Sequence, residues 1–444
     1  MTQKPASSAQ RALTCAPIAV VLVLASVLLL PAAALAGDAY PAGATRPAFA
    51  PGAAQPRASA ASTGGSSAPA AGSRASSQAR ARRHRGRPHA KVLHGDPARA
   101  LVAYQAMQRA YYIPGSGLYA GEPFSYLWPF SQALAATITL ADVPALAKTM
   151  APEVQARLLG LQSYYDPDNS GAVEGTYTSV LPGYDGTVAP PAGPGGPKYY
   201  DDNDWIGIEL MRLYKVTRSP DLLSEAESIM AFEMAGWQSS PALACPGGIP
   251  FSNSIENNQR NTVTTAPAAE LAVQLYRMTG NPGYLTFAEQ AYEWVRNCLA
   301  QPNYLYADHI GPKGLVEHTL WSYNQGAMIG AGTLLYQVTG NGSYLTQARQ
   351  TAAAALSYFT LAVLESENPF FVSVYFRNLI YFDSVVGETS GSRLAQEYVN
   401  DAWASDRLPD DVFVGGSPAS AQLLVQSAVV QIYGLLSTPR YTYF

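Results

Sequence analysis

The sequence predicts an all-α fold, an (α/α)6 barrel: a toroid of about six helical hairpins with long loops over one mouth. Three observations carry this. Apolar residues recur with a helical period; Ile206, Leu210, Leu213 and Tyr214 follow i, i+4, i+7, i+8 and share one helix face. A hinge motif returns as "LYKVTRSPDLLSEAE" from Leu213, "LYRMTGNPGYLTFAE" from Leu275 and "LYQVTGNGSYLTQAR" from Leu335, at offsets of 62 and 60. Long inserts such as "SGAVEGTYTSVLPGYDGTVAPPAGPGGPK" at 170–198 carry too much Gly and Pro for helix.

Each hinge copy reads as the end of one helix, a short turn and the Leu that anchors the next. Gly and Asn in the turns accept the left-handed backbone that ends helices. A period near sixty suits two helices of about twenty residues plus loops. The 350 residues from 95 to 444 hold about six such hairpins. An open superhelix meets that count too; the long inserts, lying over one mouth, favour closure. The best strand candidate is "FFVSVYF" at 370–376.

The chain divides into three. Residues 1–36 read as a signal peptide: Lys4 and Arg11 precede the apolar run "APIAVVLVLASVLLLPAAA", and "ALA" at 34–36 is a cleavage pattern. The run is also near the lower limit for a membrane anchor, should it stay uncleaved. Residues 37–94 are an Ala/Ser/Pro/Arg-rich linker with too few large apolar side chains to offset its chain entropy. Residues 95–444 form the folded domain. The charge is split: residues 1–94 hold eleven Lys and Arg against one Asp, a net of +10, and the remainder a net of −14. A domain this acidic argues against nucleic acid and other polyanions and for a neutral substrate. The expected product is a secreted or envelope-associated monomer that touches a membrane only if the signal stays uncleaved.

No metal or cofactor is called for. His309 and His318 lack metal-ligand spacing, and CxxC and HExxH are absent. "DPDNSG" at 166–171 has EF-hand-like spacing, but its twelfth position is Tyr177 where a bidentate Glu is needed, so it reads as an Asx-rich turn. Cys245 and Cys298 are left after signal removal; a disulfide and two free buried thiols both fit.

Acid–base chemistry therefore falls to carboxylates, and "KYYDDNDWIGIEL" at 198–210 concentrates them. Asp201, Asp202 and Asp204 precede an apolar helical run. The bland reading is a helix start, where an Asp caps and complements the dipole for about 1 kcal/mol. The functional reading is a carboxyl pair across a scissile glycosidic bond, about 5–5.5 Å apart for retention or 6.5–9.5 Å for inversion. At a helix start, neighbours diverge by roughly 100° and both can face one cleft. Close carboxyls repel, so one keeps its proton: the pair supplies a nucleophile and an acid without histidine or metal.

"GYDGTVAPPAGPGGPKYYDDNDWIGIEL" resembles the catalytic segment of glycoside hydrolase family 76, the α-1,6-mannanases. "WPFSQALAAT" (128–137), "LWSYNQGAMIGAGTLLYQVTGN" (320–341) and "VYFRNLIYF" (374–382) are similar to further family segments, in family order. The resemblance implies an (α/α)6 barrel and a retaining double displacement on α-mannan, with Asp201 as nucleophile and Asp202 as general acid/base. Trp128, Tyr200, Trp205 and Tyr323 would stack on sugar faces, or pack in the core. Asn324 and Gln325 would bond sugar hydroxyls, or cap a helix; Asp308 would line a subsite. Gln132, Asn203 and Asn261 complete the candidate substrate contacts. Arg377 and Asn378 read as structural, and Asp204 as an aid to the cap. In "GGIPFSNSIENNQRN" (247–261), Phe251 stands where the family often has a Trp-containing stretch, with Asn253, Asn257, Asn258 and Asn261 nearby. Rival readings are a mannan transglycosylase and a non-catalytic glycan-binding envelope protein on the same scaffold. A lyase or uronyl hydrolase would want more Arg or Lys at the site.

Overall fold

In the computed structural model, residues 93–168, 181–256, 258–415 and 422–439 are described. The signal peptide, nearly all of the linker, the second half of the Asx-rich stretch and Asn257 lie outside them.

Thirteen α-helices are present among the described residues: α1 Asp96–Tyr111, α2 Leu127–Ala141, α3 Ala147–Leu161, α4 Tyr200–Thr217, α5 Pro220–Ala235, α6 Thr262–Thr279, α7 Pro282–Cys298, α8 Ser322–Thr339, α9 Gly342–Tyr358, the short α10 Leu361–Ser366, α11 Pro369–Val386, α12 Ser390–Ser405 and α13 Gln422–Ser437. Helices α2, α4, α6, α8, α11 and α13 are buried along almost their whole length. Each packs on the next, and α13 packs back on α2, so the six close a ring. Outside it, α3, α5, α7, α9 and α12 each pack on the inner helix that precedes them, and α1 packs on α13. This is the expected (α/α)6 barrel.

The hinges are built alike. Helices α4, α6 and α8 end at Thr217, Thr279 and Thr339, followed by Arg218, Gly280 and Gly340 at φ of 57°, 71° and 69°. Each threonine hydroxyl donates back to a carbonyl four residues earlier (Leu213, Leu275, Leu335; 2.7–2.8 Å) and accepts the second amide of the turn (Ser219, Asn281, Asn341; 3.1–3.3 Å). The helix end is thus satisfied by its own sequence.

The expected strand at 370–376 is instead the first half of α11. A helix walled on all sides carries aromatic and β-branched residues on every face, so its local pattern mimics a buried strand; Pro369 at its first position marks the helix start. Small residues bring ring helices together: a Cβ on Gly326 of α8 would lie 2.7 Å from the Tyr375 Cα of α11.

A chain of buried ion pairs crosses the ring interior. Arg212 of α4 meets Asp142 at 2.7 Å and Glu209 at 2.9 Å, and Glu209 also receives Arg377 of α11 at 2.5 Å. Arg377 thus ties a late helix to an early one. Among the described residues the loops carry only two-residue strands: β1 Tyr165–Asp166 pairs with β2 Gly183–Tyr184, and β3 Arg260–Asn261 pairs with β4 His309–Ile310, which pairs with β5 Val316–Glu317, all antiparallel. Cys245 and Cys298 form a disulfide with Cα atoms 6.1 Å apart, joining the loop after α5 to the end of α7.

Candidate active site

The inner helices run in one direction, since matching turns face each other: Gly326 and Gly330 of α8 meet Tyr375 and Asn378 of α11, and Gly434 of α13 meets Thr139 of α2. Their N-termini, with the partial positive charge of each helix, therefore share one mouth. Asp201 and Asp202 stand there, in the first turn of α4. The cap position is Tyr199, which makes no side-chain cap bond, so neither aspartate caps the helix.

The chain before α4 is held from below. Lys198 pairs with Asp185 at 3.3 Å and Asp166 at 3.6 Å, every side chain at most 1% exposed. Burial outweighs the attraction of Lys198 and pushes the Asp185 carboxyl up to about 6. Asn253 fastens the Lys198 backbone at both ends: Oδ1 accepts the Lys198 amide and the Asn253 amide donates to the Lys198 carbonyl, each at 3.0 Å. The Tyr200 amide donates to the Phe251 carbonyl at 3.2 Å, and Phe251 meets the Tyr199 ring edge-on at 5.4 Å. In the Asx-rich stretch, the Asp168 amide donates to Asp166 Oδ1 at 3.1 Å, an Asx turn.

These segments pack across the first turn of α4, and Asp201 and Asp202 each expose only 3% of their surface. The pair is more enclosed than the open cleft that its role suggests, because the first turn of an inner helix already lies within the ring. Beside it Trp128 of α2 lies 6.4 Å from Trp205 and 6.1 Å from Phe370. Half-buried Tyr323 stacks on Phe371 at 4.2 Å.

Across the mouth, the start of α6 meets the start of α8. Asn261 is the cap residue of α6, pairs in register with His309, and leaves its buried Oδ1 without a partner. Asp308 Oδ1 accepts Asn324 Nδ2 at 3.2 Å, and its Oδ2 lies 2.9 Å from His309 Nδ1. His309 joins this group only through the fold; the adjacent Asp-His pair at the end of a loop is its one signal in the sequence.

Four expected substrate contacts are engaged within the protein. Tyr200 is wholly buried, stacked on Phe232 at 4.4 Å. The Asn203 amide donates to the Tyr184 and Tyr199 carbonyls, at 3.0 and 2.8 Å, and its oxygen accepts the Tyr184 amide at 2.8 Å. Gln325 does the same for Tyr306, through its oxygen at 2.8 Å and its amide at 3.0 Å. Gln132 takes the Gln431 amide at 3.2 Å, in the seam between α2 and α13. For Asn203, Gln325 and Gln132 a buried loop or seam needs a side-chain partner for its polar groups, and the amide supplies it. Asp204, expected to help the cap, lies a turn further in and is fully buried. Burial first, then the neighbouring Asp201 and Glu270 carboxyls, hold it well above the usual carboxylate range. Burial likewise raises Glu233 of α5, reinforced by Asp204 and Asp201, and Glu270 of α6, opposed by Arg377. Among the described residues no cluster of His, Cys, Asp and Glu is arranged to hold a metal ion.

The structure is thus a helical toroid with paired acids and aromatic rings at the N-terminal mouth of its inner helices. The model for glycosyl hydrolase family 76 matches residues 174–390. Over that stretch, just under half of the chain, the sequence is similar to the family. Curated relatives include the mannan endo-1,6-alpha-mannosidases DCW1 and DFG5 of Saccharomyces cerevisiae, 27% identical over 149 residues and 29% over 152. Each match covers 32% of this chain and 32% of the relative, so the chain aligns with about a third of their length. Among solved structures, a family 76 mannosidase of Bacteroides thetaiotaomicron superposes with a TM-score of 0.67 at 20% identity, over 77% of this chain and 98% of that one. An inactive variant of an α-1,6-mannanase from a Salegentibacter species, two adjacent aspartates replaced by asparagine and bound to α-1,6-mannotriose, superposes at 0.61 with 19% identity, over 77% of this chain and all of that one. At these identities the superpositions establish the shared fold.

Proposed function

We propose that this protein is a retaining glycoside hydrolase that cleaves α-1,6-mannosidic linkages, with Asp201 as nucleophile and Asp202 as general acid/base. The observation that carries the reading is the adjacent carboxyl pair at the N-terminus of inner helix α4, in a chain whose relatives are named for this activity. An Asp201 carboxylate oxygen bonds to the anomeric carbon as the glycosidic carbon–oxygen bond breaks. The leaving oxygen takes the proton of Asp202. A water then gives its proton to Asp202 and its oxygen to the anomeric carbon, releasing Asp201. The helix dipole at the first turn of α4 favours the anionic state of Asp201 between these steps. Trp128, Trp205 and Tyr323 supply ring faces, and Asn261, Asp308 and Asn324 polar groups, for the sugar.

Secretion through residues 1–36 remains part of this reading. Among the described residues no helix is long and apolar enough to cross a membrane. A second reading is transfer of the mannosyl group to a sugar acceptor, whose hydroxyl would take the place of water in the second step. Incubation with linear α-1,6-mannan in heavy-oxygen water tests both: hydrolysis labels each new reducing end, and transfer yields longer, unlabelled oligosaccharides. Asp201→Asn and Asp202→Asn should each lose more than about a hundredfold in kcat while remaining folded. A folded wild type that leaves mannan unchanged would refute the enzymatic reading.

A further inference from the structure

Beneath the pair lies a second set of acids that this mechanism does not use. Asp204 follows Asp201 by three residues on α4, so both lie on one face of the helix. Glu233 stands near the C-terminal end of α5, the antiparallel outer partner of α4, and Glu270 in the third turn of α6. Asp204 and Glu233 are fully buried, Glu270 is 1% exposed, and all four carboxyl oxygens of Asp204 and Glu233 lack a hydrogen-bond partner. A carboxylate so placed would lose its hydration with no donor in return, so the neutral acid is the stable form. The groups facing Asp204 are Asp201 on its own helix, Glu233 from α5 and Glu270 from α6, with Arg377 of α11 acting on Glu270. Helix α2, the remaining inner neighbour, has no titratable side chain.

We propose that Asp204 is a positioning residue for Asp201: a buried neutral acid, backed by neutral Glu233, that leaves Asp201 the one member of this inner group to carry negative charge. The inference rests on the nucleophile role given to Asp201 above. A neutral carboxyl one turn below presents a dipole and a proton towards that side of the helix. An ionised one would place a second negative charge beside Asp201 and resist its ionisation. The effect belongs to the chemical step and not to sugar binding, because Asp204 is sealed from the mouth.

The test compares full-length wild type with Asp204→Asn and Asp204→Leu on linear α-1,6-mannan, reading kcat and KM against pH, with thermal unfolding as a control for folding. Asn copies the neutral acid in shape and dipole; Leu fills the space without the dipole. The expected results are a kcat at least about tenfold lower in Asp204→Leu with KM within about threefold, rescue in Asp204→Asn, and an acidic limb of kcat/KM unmoved in Asp204→Asn. Infrared difference spectra at neutral pH should show a protonated-carboxyl band in wild type that weakens in Asp204→Asn and in Glu233→Gln. An acidic limb displaced to lower pH in Asp204→Asn would mean that Asp204 was ionised, and overturns the inference. So does normal kcat in Asp204→Leu, or absence of the infrared band. If wild type leaves mannan untouched, the activity reading fails, and the infrared spectra alone decide whether Asp204 is the neutral acid claimed.

Discussion

Replacing Lys198 by Met would remove the cation from a buried triad and leave Asp166 and Asp185 facing each other with side-chain exposures of 1% and 0%. Breaking a buried ion pair from one side costs about 3–5 kcal/mol, because the remaining charge is stranded. That cost depends on pH in a definite direction. In the wild type the Asp185 carboxyl is raised from 3.8 to about 6, so the folded chain holds this proton more tightly than the unfolded chain. Its contribution is complete below about pH 4 and disappears as pH rises through about 6, a change of about 3 kcal/mol. Without Lys198 the Asp185 carboxyl keeps its proton to still higher pH, and the variant's deficit shrinks in acid. Urea unfolding of wild type and Lys198→Met at about pH 8 and about pH 5 measures it. A deficit of about 3–5 kcal/mol at the higher pH should fall by at least half at the lower. A deficit below about 1 kcal/mol at pH 8, or one that grows in acid, would refute the reasoning.

Reducing the Cys245–Cys298 disulfide opens a loop of 53 residues. The chain-entropy relation gives a loss of about 4 kcal/mol, visible as a lower urea midpoint with reductant; no shift would show that the bridge constrains nothing. Gly326→Ala places a methyl 2.7 Å from the Tyr375 Cα and should cost about 1–3 kcal/mol by pushing α8 from α11, read by thermal unfolding; a neutral outcome contradicts the close packing of the ring. Glu367 accepts the Ser322 amide at the start of α8 and burial pushes its carboxyl up to about 7. Its contribution to stability is therefore present in acid and lost as pH rises through about 7, and Glu367→Gln should flatten the stability–pH curve there.

The toroid was legible because its hinges repeat. The threonine that ends α4, α6 and α8, the left-handed residue after it and the Leu-Tyr before it are local devices, written afresh in each copy. The acidic stretch stood out because three acids stand at one helix start in a chain poor in charge. What escaped was set by tertiary contact. The 370–376 segment looked like a strand because ring closure buries every side of α11. Asn203 and Gln325 looked like sugar ligands because an amide that binds a loop carbonyl and one that binds a hydroxyl are the same residue in sequence. Lys198 gave no sign that its partners would be Asp166 and Asp185, and Asp204 read as part of a cap because only the fold shows that the helix turns it inward, between Glu233 and Glu270.

The central claim is that Asp201 attacks the sugar directly, and the stereochemistry of the first product tests it most directly. Proton NMR of linear α-1,6-mannan during early digestion by the full chain should show the α-anomer of the new reducing end forming first, with the β-anomer appearing only by mutarotation. If the β-anomer forms first, a water has attacked in place of Asp201, and the assignment of the two aspartates is wrong.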